Sequence, residues 1–168
     1  MTAFITTFAF LSYYAMASGD GISYNKIVET ETHKHVPDTY QTIYREVYWA
    51  RYVDWSVTTP LLLADLGLLA GLNGASLLVA VVADLIMILT GLFAAFGSAD
   101  GTKWGWYTIS CAAFLVIVYQ LALNGRAAAA NKDGKTKAFF AAIAGFTLIL
   151  WTAYPVYVLH LLLVLHLR

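Results

Sequence analysis

Charge and cysteine are both scarce in this sequence of 168 residues. Asp, Glu, Lys and Arg together make up 12% of the chain, and Cys111 is the single cysteine. One cysteine forms no internal disulfide and builds no cysteine metal site, so it is most simply a small buried residue. The 10 acids balance the 10 bases, and no basic excess favours a nucleic acid partner. A glycine-rich phosphate loop, a nucleophile elbow and paired metal ligands are also lacking, so nothing indicates an enzyme or a metal centre.

Apolar residues are abundant instead. They make up 60% of the chain, and the mean hydropathy is +0.68. A soluble domain is usually about half apolar and about a quarter charged, so this balance predicts a protein of the lipid bilayer. The apolar amino terminus has neither a basic region before it nor a clear cleavage site. We therefore interpret it as a membrane span and not as a signal peptide.

The apolar residues gather in stretches with few charges. Each stretch is near the roughly 20 residues that a helix needs to cross the hydrocarbon. Because lipid offers no partners to backbone groups, such spans should be helices. The sequence thus predicts an all-α, multi-pass protein in which residues 1–168 form a single membrane domain of five transmembrane helices, at about 4–18, 47–70, 77–97, 104–123 and 138–166.

The connections between the predicted helices differ in charge. Residues 19–46 form a polar loop, and residues 71–76 a short uncharged turn. Residues 124–137 carry four cations against the single acid Asp133. This excess marks the last loop as cytoplasmic by the positive-inside rule. Alternation then places 19–46 and the turn at 98–103 on the outer side.

The second predicted helix contains charges that lipid would disfavour, in the stretch RYVDWSVTTPLLLAD from Arg51 to Asp65. Arg51 and Asp54 lie one turn apart on one face, close enough to pair or to share a water, and Thr58 can present its hydroxyl to that carboxylate. Asp65 follows Asp54 by three turns, on the same face and roughly 16 Å along the axis. Charge at this depth usually belongs to a pathway.

Two interpretations of this helix remain open. In the first, Arg51 favours the ionised form of Asp54 while neighbouring leucines favour the protonated form of Asp65, so that the two acids are stations of a proton path. In the second, Arg51 and Asp54 form a structural ion pair, and Asp65 lies near the headgroups at a capped helix end.

Other chemistry-bearing residues give weaker signals. Asp84 is an isolated acid in the third span, where a hydrogen-bonded structural role is favoured. The histidines at 33 and 35 lack a clear third ligand, which favours a solvated loop over a metal site. Aromatic residues and a helix-kinking proline at mid-membrane depth in the last span indicate either a site for a flat apolar ligand, closed by Trp55, or ordinary helix packing.

The stretch Arg-Tyr-x-Asp-Trp-x-x-Thr-Thr-Pro-Leu-Leu-Leu-x-Asp resembles the third helix of the microbial (type 1) rhodopsins, and bacteriorhodopsin and the fungal opsins in particular. The likeness continues on both sides of it. Ile5-Thr6-Thr7 is similar to the start of the family's second helix, Asp84 to Gly91 to its fourth, Trp106 to Phe114 to its fifth, and Trp151 to Pro155 to its sixth. The resemblance therefore covers helices two to six of a seven-helix bundle, roughly residues 1–157.

The resemblance implies a retinal-binding, light-driven proton pump in the lipid bilayer. Asp54 would be the counter-ion and the acceptor of the proton from the retinal Schiff base, and Arg51 would organise water on the outer side. Asp65 would be the inner proton donor, with Thr6 as its hydrogen-bond partner. The resemblance also implies a retinal pocket lined by Trp55, Thr58, Thr59, Leu62, Met87, Gly91, Ser110, Phe114, Trp151, Tyr154 and Pro155, and by Tyr107, which stands where a tryptophan is common. Family members often form trimers, so a homo-oligomer is among the expected partners.

One departure from the family outweighs these matches. The family binds retinal through a lysine in the middle of its seventh helix, whereas the six lysines of this chain fall in predicted loops or at helix mouths: Lys26, Lys34, Lys103, Lys132, Lys135 and Lys137. After Pro155 the likeness fades, and the family's first helix has no counterpart. We therefore expect a truncated, inactive opsin without covalent retinal. The alternatives are a non-photoactive, chaperone-like membrane scaffold and a light sensor.

Overall fold

The computed structural model describes residues 1–31, 33 and 36–166, with the side chains of these residues except Glu29, Glu31, Asp100 and 161–166. Helices dominate this part of the chain, and a β-hairpin follows the first of them. In chain order the elements are α1 (Thr2–Ala17), β1 (Ser23–Glu31), β2 (Thr39–Val47), α2 (Trp49–Ala70), α3 (Gly74–Phe96), α4 (Asp100–Tyr119), a π-helical turn (Gln120–Gly125), α5 (Arg126–Ala129) and α6 (Gly134–His166).

The predicted helical bundle is confirmed. Within the described residues, four helical stretches are long and apolar enough to cross a membrane by length and composition: α2, α3, Gly101–Ala129 and Gly134–His160. The fifth, α1, is apolar but has 16 residues, just below the roughly 17–25 of a typical span. The chain is thus an integral membrane protein built around four full-length helices.

The polar segment 19–46, predicted as a loop, contains the antiparallel hairpin β1–β2. Ile27 faces Ile43 across the hairpin, and Tyr24 faces Glu46. β-branched and aromatic residues recur in both strands, which favours extended structure. Charged residues between them conceal this signal from a search for apolar stretches. We call the end of the bundle that carries this segment the hairpin end, and the opposite end, which carries residues 130–137, the basic end.

The hairpin is attached to the last turn of α3. The Arg45 guanidinium donates to the carbonyl oxygens of Ala95 at 2.5 Å and Gly97 at 3.0 Å. Asn25 donates to the carbonyl of Phe96 at 2.9 Å. The last carbonyls of a helix have no partner within it, and a cation there also complements the helix dipole. Two side chains of the hairpin therefore fix its position over the bundle.

Replacing Arg45 with Met is expected to lower the free energy of unfolding by about 1–2 kcal/mol, because the variant cannot form the charged hydrogen bonds to the carbonyl oxygens. Thermal unfolding in detergent, followed by circular dichroism, measures the change. Lys26→Met is the matched control, since Lys26 is an exposed cation of the same hairpin. Equal losses for both variants would contradict the role given to Arg45.

The helix ends at the basic end are capped by side chains and a glycine. Asn73 accepts from the Ser76 amide at 2.8 Å and starts α3, and Asp133 accepts from the Thr136 amide at 3.1 Å and starts α6. Gly71 ends α2 with φ of 76°, a left-handed conformation that favours glycine. A β-carbon on Gly71 would also lie 2.7 Å from Cε of Lys132, but that flexible side chain can move, so it is the backbone conformation that requires glycine here.

The cap at Asp133 makes the start of α6 sensitive to pH. Hydrogen bonds from the Thr136 side chain and then its backbone amide hold the pKa of Asp133 below its ordinary value of 3.8. A lowered folded-state pKa stabilises the protein above the unfolded-state pKa, and this contribution disappears as the pH falls through the lower folded value. We expect Asp133→Asn, which keeps a capping acceptor, to show a smaller fall in Tm than the wild type between about pH 5 and pH 2. Parallel pH dependences in the two proteins would exclude the effect.

The core lies in the half of the bundle nearer the basic end, where α2, α3, α4 and α6 meet. Leu63 is 0% exposed and Leu121 is 1% exposed; both belong to a cluster whose other fully buried members are Leu66, Ala70, Ala80, Ala83, Ile117, Ala129, Phe140 and Ala144. The Leu121 side chain comes from the π-helical turn. That turn therefore contributes directly to the packing of the bundle.

The π-helical turn corrects the predicted end of the fourth span. A regular helix was expected over 104–123 and a loop over 124–137, but the helix widens at Gln120–Gly125 and continues as α5, and α6 begins at Gly134. Asn124 donates to Oε1 of Gln120 at 2.7 Å, and a β-carbon on Gly125 would lie 2.8 Å from Cζ of Phe140. The wider turn is thus accompanied by close contact with α6 and by a hydrogen bond between two side-chain amides. Hydropathy along the sequence predicts neither of them.

Candidate functional site

Asp54 is the most buried carboxylate of α2. Its side chain is 2% exposed, and its Oδ1 is buried without a hydrogen-bond partner. Thr58, one turn further on, donates its hydroxyl to the backbone carbonyl of Asp54 at 2.9 Å and not to the carboxylate. A threonine in a helix commonly bonds back to the carbonyl four residues earlier. The Thr58 hydroxyl therefore binds the backbone of its own helix instead of the Asp54 carboxylate, the partner that the sequence had suggested.

Arg51 lies near Asp54 in sequence but points its charge at aromatic rings. Its guanidinium carbon is 5.6 Å from the ring centre of Tyr48 and 5.9 Å from that of Trp55. In the part of the chain that the structure describes, no ion pair joins Arg51 to Asp54, so the directly bonded pair allowed by the sequence does not form. Nε of Arg51 is buried without a partner. Such orphaned polar atoms are costly and usually indicate a bound water or ligand.

The second acid of the predicted path, Asp65, lies near the basic end of α2 and is partly exposed. Thr6, its expected partner, donates its hydroxyl to the carbonyls of Thr2 at 3.2 Å and Ala3 at 3.1 Å within α1. The Thr6 donor is thus used inside its own helix, and the structure shows no hydrogen bond from it to Asp65. The contact between these two residues stays a prediction.

Asp84 joins α3 to α2 through Thr59. The Thr59 hydroxyl lies 2.6 Å from Oδ2 of Asp84 and 2.7 Å from the carbonyl oxygen of Trp55, and its one proton is shared between these two acceptors. Asp84 is 0% exposed, and its Oδ1 has no partner. The predicted hydrogen-bonded acid is found here, and the structure adds its partner, which spacing along the chain did not reveal.

Replacing Thr59 with Val is expected to lower the free energy of unfolding by about 1–3 kcal/mol, because it leaves a buried carboxyl without its donor at nearly constant volume. Denaturant unfolding in mixed micelles, followed by circular dichroism, gives the difference. Thr152→Val is the matched control: Thr152 is exposed on α6 and donates only to the carbonyl of Leu148, at 2.7 Å. A loss no larger than in the control would show that the Asp84 contact contributes little.

Aromatic side chains converge on Trp55. The Tyr154 ring from α6 meets it edge-on at 5.2 Å, and the Tyr52 ring meets it at 5.5 Å. A β-carbon on Gly91 would lie 3.6 Å from Tyr52 and 3.8 Å from the Ser110 hydroxyl. A β-carbon at Gly91 would thus be in ordinary van der Waals contact with side chains of α2 and α4.

Further contacts join the residues assigned to the pocket. Ser110 donates to the carbonyl of Met87 at 2.9 Å, and Tyr107 donates to the carbonyl of Pro155 at 2.7 Å. Phe114 is 7% exposed, while Met87 and Trp151 pack against the core cluster. Leu62 is partly buried on α2. These hydrogen bonds join α3 to α4 and α4 to α6, and Thr59 of α2 binds Asp84 of α3. That these residues line one retinal pocket stays a prediction.

The residues present fit retinal in part. The aromatic rings beside Trp55 suit a flat apolar molecule, and the unpartnered Oδ1 of Asp54 suits a positive charge at one end of it. The attachment point does not fit, because no lysine lies in the middle of a span. The described lysines lie in β1, at the start of α4 and at the basic end, and Lys34 lies outside the described residues.

The histidine pair falls only partly within the described residues. His33 Nε2 lies 3.1 Å from the Thr39 hydroxyl, and the His33 amide donates to Asp38 at 3.4 Å. His35 lies outside the described residues. Among the others, no group of three His, Cys, Asp or Glu side chains is placed to hold a metal ion.

Fold and site together define a helical-bundle membrane protein with buried carboxylates beside an aromatic cluster. The sequence matches the family described as Bacteriorhodopsin-like protein over residues 1–161. The chain belongs to this family, the microbial rhodopsins, whose members use retinal.

Individual relatives agree with this assignment. The chain is 49% identical to Opsin-1 of Neurospora crassa over 93% of its own length and 52% of that protein's, and 40% identical to a bacteriorhodopsin of Haloterrigena over 93% and 57%. A light-driven proton pump from Leptosphaeria maculans has 62% identity and a TM-score of 0.87, over 92% of this chain and 63% of that one. The chain spans about half the length of the curated relatives it matches.

Proposed function

We propose that this chain forms the larger part of a retinal-binding, light-driven proton pump in which Asp54 accepts the proton and Asp65 donates it. The observation that supports this most directly is the buried Asp54, whose Oδ1 lacks a partner. A buried carboxylate without a donor is ready to receive a proton or to balance a positive charge. Asp65 follows on the same face of α2, nearer the basic end, which we take to be cytoplasmic.

The carboxylates also favour the proton over chloride. Halorhodopsin, a light-driven chloride pump, matches this chain with 31% identity and a TM-score of 0.76, so the fold alone does not select the ion. A negative charge on the buried Asp54 of α2 repels a chloride ion, and the repulsion is strong where the dielectric is low. Two acids on one face of α2, Asp54 and Asp65, therefore suit a pump that moves protons.

The two acids require an intermediary. They lie roughly 16 Å apart along α2, far beyond the roughly 3 Å of a hydrogen bond. The family resemblance implies that retinal is the intermediary between the two acids in the full-length relatives. The contribution of this chain is a buried acceptor, a donor near the opposite end, and a cation, Arg51, held between Asp54 and the hairpin end by two aromatic rings.

A fusion protein tests these roles in residues of this chain. The segments of the Leptosphaeria pump that lie outside the match are joined to residues 1–157, and light-induced pH changes are recorded in liposomes with all-trans retinal. We expect pumping that Asp54→Asn abolishes and Asp65→Asn slows. Asp38→Asn, in the hairpin, is the control and should leave the rate unchanged. A pigment that pumps equally well without Asp54 would refute the assignment.

A membrane scaffold without photochemistry is the second candidate, favoured by the absence of a lysine from the middle of every span. Infrared titration of the carboxyl bands in Asp54→Asn and Asp65→Asn variants of the 168-residue chain separates the two candidates. Midpoints that lie far apart support an inherited proton path, because only distinct environments separate two identical groups. Two ordinary midpoints would favour the scaffold.

A further inference from the structure

Tyr107 makes a contact that its position in the family does not imply. Its hydroxyl donates to the carbonyl of Pro155 at 2.7 Å and joins α4 to α6. The Trp104 ring lies edge-on to the Tyr107 ring at 5.9 Å, one turn earlier on α4. The tyrosine is therefore directed toward α6 by an aromatic neighbour on its own helix and by an acceptor on the other.

The part of α6 that receives this bond has few other attachments. Tyr154 is 51% exposed, Val156 59% and Tyr157 65%. The residues of α6 in or against the core cluster, from Phe140 to Trp151, all precede it. The segment beyond Trp151 thus extends from the core with little packing of its own.

The space between α4 and α6 gives no substitute for the hydrogen bond. On the basic-end side of it, an open apolar cleft separates the two helices; it is lined by Val118 of α4 and by Leu148, Ile149, Thr152, Ala153 and Val156 of α6. Pro155 has no amide hydrogen, so the carbonyl four residues earlier, on Trp151, loses its helical partner. The helix thus lacks one backbone hydrogen bond in the turn that ends where Tyr107 binds it.

We propose that Tyr107 is a positioning residue that holds α6 at Pro155 and thereby keeps the Tyr154 ring against Trp55. Tyr154 immediately precedes the acceptor, and its ring meets Trp55 of α2 at 5.2 Å and 87°. Fixing the Pro155 carbonyl fixes the helix that carries this ring, and with it the width of the aromatic site between α2 and α6. A tryptophan, which the family commonly has here, carries its donor on the indole Nε1 and not on a hydroxyl at the far end of the ring. The hydrogen bond between Tyr107 and Pro155 is independent of the proposed function. Only its consequence for retinal binding rests on the proposed function.

Hydrogen exchange of the intact chain in detergent micelles, followed by mass spectrometry, tests whether the Tyr107 hydrogen bond holds α6. In Tyr107→Phe, peptides covering 151–160 should exchange roughly fivefold faster, the change that corresponds to one ordinary hydrogen bond. Peptides covering 138–148 should not change, because they lie in the core. Tyr119→Phe is the matched control: Tyr119 is 53% exposed on the same helix and makes no hydrogen bond in the described part of the chain. Unchanged exchange at 151–160, or an equal rise in both segments, would overturn the proposal.

A second variant and a second readout complete the test. Tyr107→Leu keeps an apolar side chain without any donor and should show the same local rise. Failure of both variants to fold would also overturn the proposal, because a positioning residue is not required for folding. Quenching of tryptophan fluorescence by added all-trans retinal should give a Kd roughly fivefold higher in Tyr107→Phe. If the wild type does not bind retinal, the proposed function fails, whereas the exchange data still decide whether Tyr107 holds α6.

Discussion

Mixing these 168 residues with all-trans retinal is expected to give no red-shifted pigment and no adduct that borohydride fixes in the folded core. Formation of an imine requires a primary amine at the end of the chromophore. The described lysines lie in the hairpin, in the first turn of α4, just after α5 and in the first turn of α6. Lys103 is the single lysine in the sequence between Tyr48 and Ala129. Asp54, the carboxylate suited to a positive charge, is therefore present, but no lysine amine lies in the middle of a span to carry that charge.

Absorption spectra and mass spectrometry after reduction measure this result. Exposed lysines can react slowly with any aldehyde, so the chain unfolded in dodecyl sulfate is the control and should label to the same small extent as the folded chain. A band shifted far to the red of free retinal, lost in Asp54→Asn and trapped by reduction, would show that the interpretation of the lysines is wrong. Weak binding without a covalent bond stays compatible with it, because the aromatic contacts around Trp55 do not depend on an amine.

Sequence predicts the fold best for the segments that cross the lipid. In hydrocarbon every backbone group must be bonded within its own segment, so an apolar stretch such as Gly74–Phe96 has no alternative to a helix. The hairpin Ser23–Val47 lies where water competes for backbone groups, and there side-chain composition is a weaker guide. The π-helical turn at Gln120–Gly125 depends on the approach of Phe140 from a helix that follows in sequence, which a local pattern does not reveal.

The candidate site shows the same limit at the level of side chains. Helical spacing correctly places Arg51, Asp54 and Thr58 on adjoining turns of α2, but it does not determine where their side chains point. Arg51 turns to the rings of Tyr48 and Trp55, and Thr58 bonds to the backbone. Contacts across helices were missed for the same reason. Thr59 with Asp84 is one example, and Tyr107 with Pro155 is another.

Among the stability variants, truncation of Leu63 to Ala is expected to have the largest effect, a loss of about 2–4 kcal/mol. Leu63 is 0% exposed and packs in the core cluster with Leu66, Ile117, Leu121 and Phe140. In a bilayer, lipid is as apolar as leucine, so helices gain little by removing such a side chain from lipid. The cost of the substitution arises because the atoms that line the new cavity no longer have a van der Waals partner, and this cost is largest where the side chain is fully enclosed.

Leu68→Ala, on the same helix, removes the same atoms from a side chain that is 65% exposed. Lipid or detergent fills the space at that position, so no cavity forms, and we expect a change within about 0.5 kcal/mol. Both substitutions improve helix propensity slightly and to the same extent, which cancels in the comparison. Unfolding of the two variants in mixed micelles therefore isolates the packing contribution. Equal destabilisation would mean that α2 is held by burial from solvent and not by close packing, and the core assigned to Leu63 would be wrong.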